Sequence, residues 1–233
     1  MEDLEWHLDD AQELEPLCDA VCRTLSTPDA VKAFRNAGGM VWLTEVLKRH
    51  IGNATVAGAA CSAIQVASKY DYGHPSSQHS AGASSWLIEV LRRHLSVTAV
   101  VTSACRALVA GYENDRSKAE LLTAGVNILL KVLEEHGANE ATMSAACDAI
   151  SVAIRSAGDW AAFGAGGGML CLSDLLLRYG GSAAAVTSVC KAVKAACAGH
   201  AHNGTLFKAA DGMHIDKPVR ARPLLSNAIE CEF

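Results

Sequence analysis

The side chains able to do chemistry in this chain are few, and most fall at regular spacing. Cys197, His200 and His202 form one compact set of potential metal ligands. Their C-x-x-H-x-H order is not a structural zinc spacing, and a helix end followed by a His-rich loop accounts for it. His50, His94 and His136 suggest an acid–base or metal trio. Each instead lies seven residues after a Leu (Leu43, Leu87, Leu129), and Tyr179 takes the same place after Leu172. Equivalent positions on stacked helices lie about 10 Å apart, too far to share one ion. A His at a helix C-terminus complements the helix dipole and satisfies a loose carbonyl, so these residues are expected to cap their helices. The run Gly-Ala-Gly-Gly-Gly at 164–168 resembles a phosphate cradle only superficially. A cradle follows a strand and supplies Lys-Ser/Thr, whereas Met169 and Leu170 follow here, so a turn is expected. Cys18, Cys61, Cys105, Cys147 and Cys190 sit in apolar stripes, where a small, burial-tolerant side chain suits close helix contact. A catalytic thiolate needs an accessible electropositive site with a base beside it, and none is readable. No Ser/His/Asp order, paired-carboxylate signature, H-E-x-x-H or dinucleotide fingerprint appears. The sequence therefore proposes no catalytic residue, no metal site, no cofactor and no small-molecule substrate.

The composition sets the class of molecule that holds these residues. In 233 residues, half are hydrophobic, 5% aromatic and 19% charged, a balance that demands a buried core and excludes intrinsic disorder. Twenty Lys and Arg against 25 Asp and Glu give a net charge of −5, which disfavours a nucleic-acid partner. Eight acids and no Lys or Arg in the first twenty residues are the opposite of a secretory or mitochondrial leader. No run of about 18 apolar residues is present, so no membrane partner is expected. Nine Cys in such a chain read as reduced thiols of the cytoplasm or nucleus. The sequons at Asn53 and Asn203 then read as chance matches.

The elements that position these residues repeat. Gly39, Gly82, Gly125 and Gly168 are 43 residues apart, and Gly212 follows 44 later. After each of the first four comes a helical stripe: Leu43/Val46/Leu47, Leu87/Val90/Leu91, Leu129/Val132/Leu133 and Leu172/Leu175/Leu176. A polar or Gly-containing break separates it from a second stripe at i, i+3, i+4, i+7. These stripes are Ala57/Ala60/Cys61/Ile64, Val101/Ala104/Cys105/Leu108, Met143/Ala146/Cys147/Ile150 and Val186/Val189/Cys190/Val193, with one more upstream at Leu14/Leu17/Cys18/Val21. A shorter helix is expected before each Gly, carrying Phe34, Phe163 or Phe207 five residues ahead of it. The segment 70–82, rich in Ser, Gly, Pro and His, is the degenerate case. Each copy thus reads as a short helix, a Gly turn, a second helix, a loop and a third helix. Stacking such copies buries faces that one copy cannot bury alone.

The period, the Gly before the second helix and the Ala-Cys-x-Ala-hydrophobic third helix resemble armadillo repeats over residues 14–213. Within that family, the Val-x-x-(Ala/Val)-Cys third helices and the His closing the second helix are similar to the armadillo repeat-containing protein 6 group. The resemblance implies an all-α, right-handed α-solenoid. Its parts would be an acidic segment and capping helix at 1–26, an array of about four repeats and a partial one at 27–213, and a tail or makeshift cap at 214–233. Pro218 and Pro223 obstruct a long helix in that tail.

In armadillo arrays the third helices line a groove, and the resemblance implies that the residue after each repeat Cys, and the one four further on, face it. Here these are Asp19/Arg23, Ser62/Val66, Arg106/Ala110, Asp148/Val152 and Lys191/Ala195. The Trp and Asn with which importin-α-type arrays hold basic peptides are missing, and so is the uniformly basic groove of β-catenin-like arrays. Asp19, Arg23, Ser62, Arg106, Asp148 and Lys191 form a ladder of mixed sign, suited to a protein or peptide partner of mixed charge. A second basic surface, Lys48/Arg49 with Arg92/Arg93, reads as solubilising. The expected function is a non-catalytic scaffold or adaptor for protein–protein interaction. The alternative is a solenoid piece or regulatory region of a larger signalling protein or enzyme, which the incomplete first and last copies favour.

Overall fold

The computed structural model describes residues 8, 10–69, 83–114, 122–154 and 156–212. Within them are twelve α-helices and no strand. The chain divides into two compact units, Met1–Lys118 and Ala119–Phe233. The first holds α1 (Ala11–Thr24), α2 (Pro28–Asn36), α3 (Gly39–Arg49), α4 (Ala54–Ser68), α5 (Ala83–Arg93) and α6 (Thr98–Asn114). The second holds α7 (Leu122–His136), α8 (Glu140–Ala153), α9 (Ala157–Ala165), α10 (Gly168–Tyr179), α11 (Ala183–Cys197) and α12 (Ala201–Gly212).

Local chemistry sets where these helices begin. Asp10 caps α1 by accepting from Gln12 N at 2.9 Å, and Thr27 caps α2 with Pro28 fixing the first helical position. The polar breaks at 52–55, 137–141 and 180–184 each supply a cap. Asn53 accepts from Thr55 N and Val56 N, Asn139 from Thr142 N, and Ser182 from Ala185 N. At α9 the cap is reciprocal: Ser156 Oγ accepts from Asp159 N, while the Asp159 carboxylate accepts from the backbone N–H and hydroxyl of Ser156. Those two bonds are what permit Asp159 to be fully buried.

Two starts have no side-chain cap and use a Gly pair instead. Gly38 and Gly167 adopt left-handed backbones, with φ of 81° and 79°, directly before α3 and α10. The next residues, Gly39 and Gly168, lie under the rings of Phe34 and Phe163, which occupy the space a Cβ would need. The first glycine turns the chain and the second admits the ring of the preceding short helix. The third copy departs from the expected Gly turn, because α7 starts at Leu122 and runs straight through Gly125. Ala124 stands where Gly38 and Gly167 stand. A left-handed backbone costs Ala about 1–2 kcal/mol, so continuing the helix is cheaper. The degenerate segment 70–82, residues 115–121 of the short helix expected before Gly125, and the tail 214–233 lie outside the described residues.

In the first unit α1 lies on α4 and α4 on α6, while α3 and α5 pack behind α4 and α6 and touch each other. In the second unit α8 lies on α11, with α7 and α10 behind them. There α9 fills against α7 and α10, and α12 packs on α10, α9 and α11. The apolar stripes form the interior: Leu43, Val46, Leu47, Val90, Leu91, Val132 and Leu172 are buried completely or nearly so, as are Ala57, Ala60, Ala104 and Ala146. Small residues let the third helices approach closely. A Cβ on Gly58 of α4 would already touch Val100 of α6 at 3.4 Å. Leu17, Val21 and Cys190 are the stripe members left half-buried.

Candidate interaction surface

Repeating side-chain bonds join residues about 43 positions apart within each unit. His50 Nε2 meets Leu8 O, and His94 Nε2 meets Ile51 O, both at 2.6 Å. A carbonyl can only accept, so Nε2 carries the proton in both rings. Tyr179 makes the same connection in the second unit, donating its hydroxyl to Gly137 O at 2.9 Å. This refines the capping role expected of this position. The side chains of His50, His94 and Tyr179 do not bond carbonyls of their own helices but reach carbonyls 42 or 43 residues earlier. Ser182 likewise donates to the Glu140 carboxylate, and Asn203 Nδ2 to Trp160 O.

The ladder residues lie on α1, α4, α6, α8 and α11. Asp19 and Arg23 on α1 and Arg106 on α6 are exposed, and Ser62 on α4 between them is half-buried. Because α1, α4 and α6 are consecutive neighbours, positions 19, 62 and 106 form one row across three helices. Ser62 Oγ donates to Gly58 O at 3.1 Å, one turn back, and lies 3.2 Å from Ser103 Oγ on α6. Its hydroxyl therefore ties α4 to α6 as well as facing outward. In the second unit Asp148 on α8 and Lys191 on α11 are brought together at 3.3 Å. Both side chains remain well solvated, so the pair contributes about 0.2–1 kcal/mol and stays available to an incoming charge. The residues four further on, Val66, Ala110, Val152 and Ala195, are half-buried and supply small apolar steps beside the polar row.

The other chemistry-bearing residues divide differently. Cys18, Cys61, Cys105 and Cys147 are completely buried in the core stripe. Burial pushes the Cys18 and Cys105 thiols up to about 12, Cys18 with added repulsion from Cys22 and Asp19. Cys61 is raised further by burial and by the neighbouring Cys105 and Cys18 thiols. Such thiols stay protonated at neutral pH and are poor nucleophiles. Cys197 is half-buried and also raised, chiefly by desolvation, and the rings of His200 and His202 meet edge-on at 6.0 Å. Among the described residues no three His, Cys, Asp or Glu side chains are placed to hold a metal ion. Three of the four cations of the basic surface are paired: Glu45 takes Arg49 at 2.9 Å and Lys48 at 3.5 Å, and Glu89 takes Arg92 at 3.6 Å. The Arg49 bond, with the two cations beside it, holds the Glu45 carboxyl below the usual carboxylate range. No single described helix is long and apolar enough to cross a membrane.

The run 164–168 ends α9, turns at Gly166 and Gly167 and opens α10, with the Phe163 ring packed on Gly168. Sequence reasoning missed two residues of this region. Trp160 donates Nε1–H to Ala195 O at 3.1 Å, its ring filling the space above Gly199. Asn203 is completely buried, its Nδ2 donating to Trp160 O at 3.0 Å and to Ala196 O at 2.8 Å. A polar residue amid an apolar helix pattern, flanked by glycines at 199 and 204, is the only signal the sequence carries for them. No family model, no curated protein and no solved structure matches this chain.

Proposed function

We propose that the chain is an armadillo-type α-solenoid of the cytoplasm or nucleus. It acts as a non-catalytic scaffold that holds a protein or peptide on the face made by its third helices. The observation that carries this reading is the register. His50, His94 and Tyr179 each reach a backbone carbonyl 42 or 43 positions earlier, while Asp19, Ser62 and Arg106, and Asp148 and Lys191, recur at steps of 43 or 44 on the third helices. A row of alternating charge on regularly spaced helices suits an elongated ligand of mixed charge, which engages successive copies through similar contacts. The raised pKa values of the buried thiols fit a structural role for them, and the internal pairing of Lys48, Arg49 and Arg92 leaves that surface less attractive to a partner.

A quantitative pull-down tests the surface, with an Arg106→Glu, Lys191→Glu double variant set against a Lys48→Glu, Arg92→Glu control. Loss of a partner with the first and retention with the second is expected; equal binding by both refutes the assignment. Folding is checked by circular dichroism. Arg106 is exposed and its replacement should leave helicity unchanged, whereas Cys105→Arg places a charge in the fully buried neighbour position and should unfold the first unit. Equal helicity in these two variants would contradict the assigned faces.

A further inference from the structure

The sequence contains a single Asn-Gly dipeptide, Asn203-Gly204, and the fold encloses it within α12. Asn-Gly is the dipeptide most prone to deamidation, because glycine's backbone nitrogen has no Cβ to shield it. In that reaction the Gly204 nitrogen loses its proton and attacks Asn203 Cγ. The Cγ–Nδ2 bond breaks and ammonia leaves, giving a cyclic succinimide. Water then opens the ring to aspartate or isoaspartate. Three features of the docked helix oppose these steps. The helical backbone holds the Gly204 nitrogen away from Cγ. Asn203 is completely buried, which excludes the water. Nδ2, the leaving group, is pinned by bonds to Trp160 O on α9 and Ala196 O on α11. Its Oδ1 rests where a side chain on Gly164 would sit and has no hydrogen-bond partner among the described residues, so none of them polarises the carboxamide for attack.

The product is as informative as the barrier. An ionised aspartate in this place has no hydrogen to give, so the Trp160 and Ala196 carbonyls lose the amide hydrogens they accept and face a buried carboxylate. Each of these costs is large in an interior, and they fall together on the contact that joins α12 to α9 and α11. We propose that Asn203-Gly204 is a deamidation site gated by the docking of α12, acting as a one-way latch. The site is silent while the helix is seated, reacts when the helix opens, and once converted prevents the helix from reseating. Phe207 and Ala210, also buried on α12, hold the helix by apolar contact, which does not select between Asn and Asp.

The test uses the full chain and water as the only co-reactant. Incubated at mildly alkaline pH, the folded chain should gain the one-dalton mass increase at residue 203 at least about tenfold more slowly than a synthetic peptide spanning 198–210. The factor reflects the small fraction of time that α12 spends open. Equal rates would overturn the gate. The chain is next aged in urea until about half is converted, refolded, and analysed by hydrogen exchange with mass separation of the two forms. The unconverted half should recover amide protection in α12, and the converted half in the same tube should not. Equal protection in both halves would overturn the latch. Absence of protection in the unconverted half would overturn the docking on which it depends.

Discussion

The Phe–Gly contact offers a sharp quantitative test, because it occurs twice with the same geometry and different surroundings. In Gly168→Ala the new methyl carbon would lie 2.5, 2.6 and 2.7 Å from three carbons of the Phe163 ring. In Gly39→Ala it would meet the Phe34 ring at least as closely. Phe163 is completely buried and has nowhere to move, whereas Phe34 is half-buried and can swing its ring toward solvent. Overpacking a closed site costs about 1–3 kcal/mol. Against it stands a gain of about 0.4–1 kcal/mol from reducing the freedom of the unfolded chain, which both substitutions share. Gly168→Ala should therefore destabilise by about 1–2 kcal/mol, and Gly39→Ala should fall within about 0.5 kcal/mol of wild type. In a chain of this size the first corresponds to a fall in Tm of roughly 2–8 °C. Urea and thermal unfolding followed by far-ultraviolet circular dichroism measure both. Adding Phe163→Leu to Gly168→Ala removes the ring carbons that clash, so the double variant should lose less than the sum of the singles. Equal losses at the two glycines, a larger loss at Gly39, or strict additivity in the double variant would refute the reasoning.

Two further outcomes follow from the bonds between copies and from the thiols. His94→Phe leaves the Ile51 carbonyl without its donor in a buried place and should cost about 1–3 kcal/mol, against about 0.5–1.5 kcal/mol for Tyr179→Phe, where the site is half-buried; urea denaturation giving the reverse order would contradict the staple. Stability should also fall on the alkaline side. Cys18 and Cys105 are raised to about 12 in the fold, so above the ordinary thiol value of 9.0 the unfolded chain loses protons that the folded chain retains. Their contribution is complete below pH 9 and is lost as pH rises toward 12, with a slope approaching about 1.4 kcal/mol per unit for each thiol. Cys105→Ala should flatten that slope in denaturation series run between pH 8 and 11, and an unchanged slope would show that these thiols do not control it.

Much of the fold was legible because its signals are local and repeated. An apolar residue every three or four positions can only be buried on one side of a helix, and Leu43, Leu87, Leu129 and Leu172 are all in the core. The Gly before the second helix was legible as a turn at 38–39 and 167–168, but not as the uninterrupted helix at 125. That difference rests on the single residue before it, Gly in the first two cases and Ala in the third. The pairing of Asp148 with Lys191, and of Ser62 with Ser103, was not legible, since a period fixes which helix a residue belongs to but not which rotamer meets which neighbour. Trp160 and Asn203 were missed for a related reason. Their partners are backbone carbonyls, which every residue carries and no sequence pattern marks.

The position closing each second helix shows how much of such a structure depends on reach rather than residue type. Histidine and tyrosine differ in ring size and in the donor atom, yet His50, His94 and Tyr179 each deliver one hydrogen to a carbonyl 42 or 43 residues earlier. A planar ring with a donor at its far edge spans the gap, and the Ile51 and Gly137 carbonyls, just past the ends of α3 and α7, lack an intrahelical donor. The pairing therefore removes an unsatisfied group from one helix end and fixes the register of the next copy against it. Tyr in place of His keeps both effects, which removes any need for imidazole acid–base chemistry at this position. A Tyr exchanged into position 94 should accordingly be tolerated better than Phe, although the two rings differ only by the hydroxyl. That contrast isolates the donor as the selected property, and equal stability of the two variants would assign the position to packing alone.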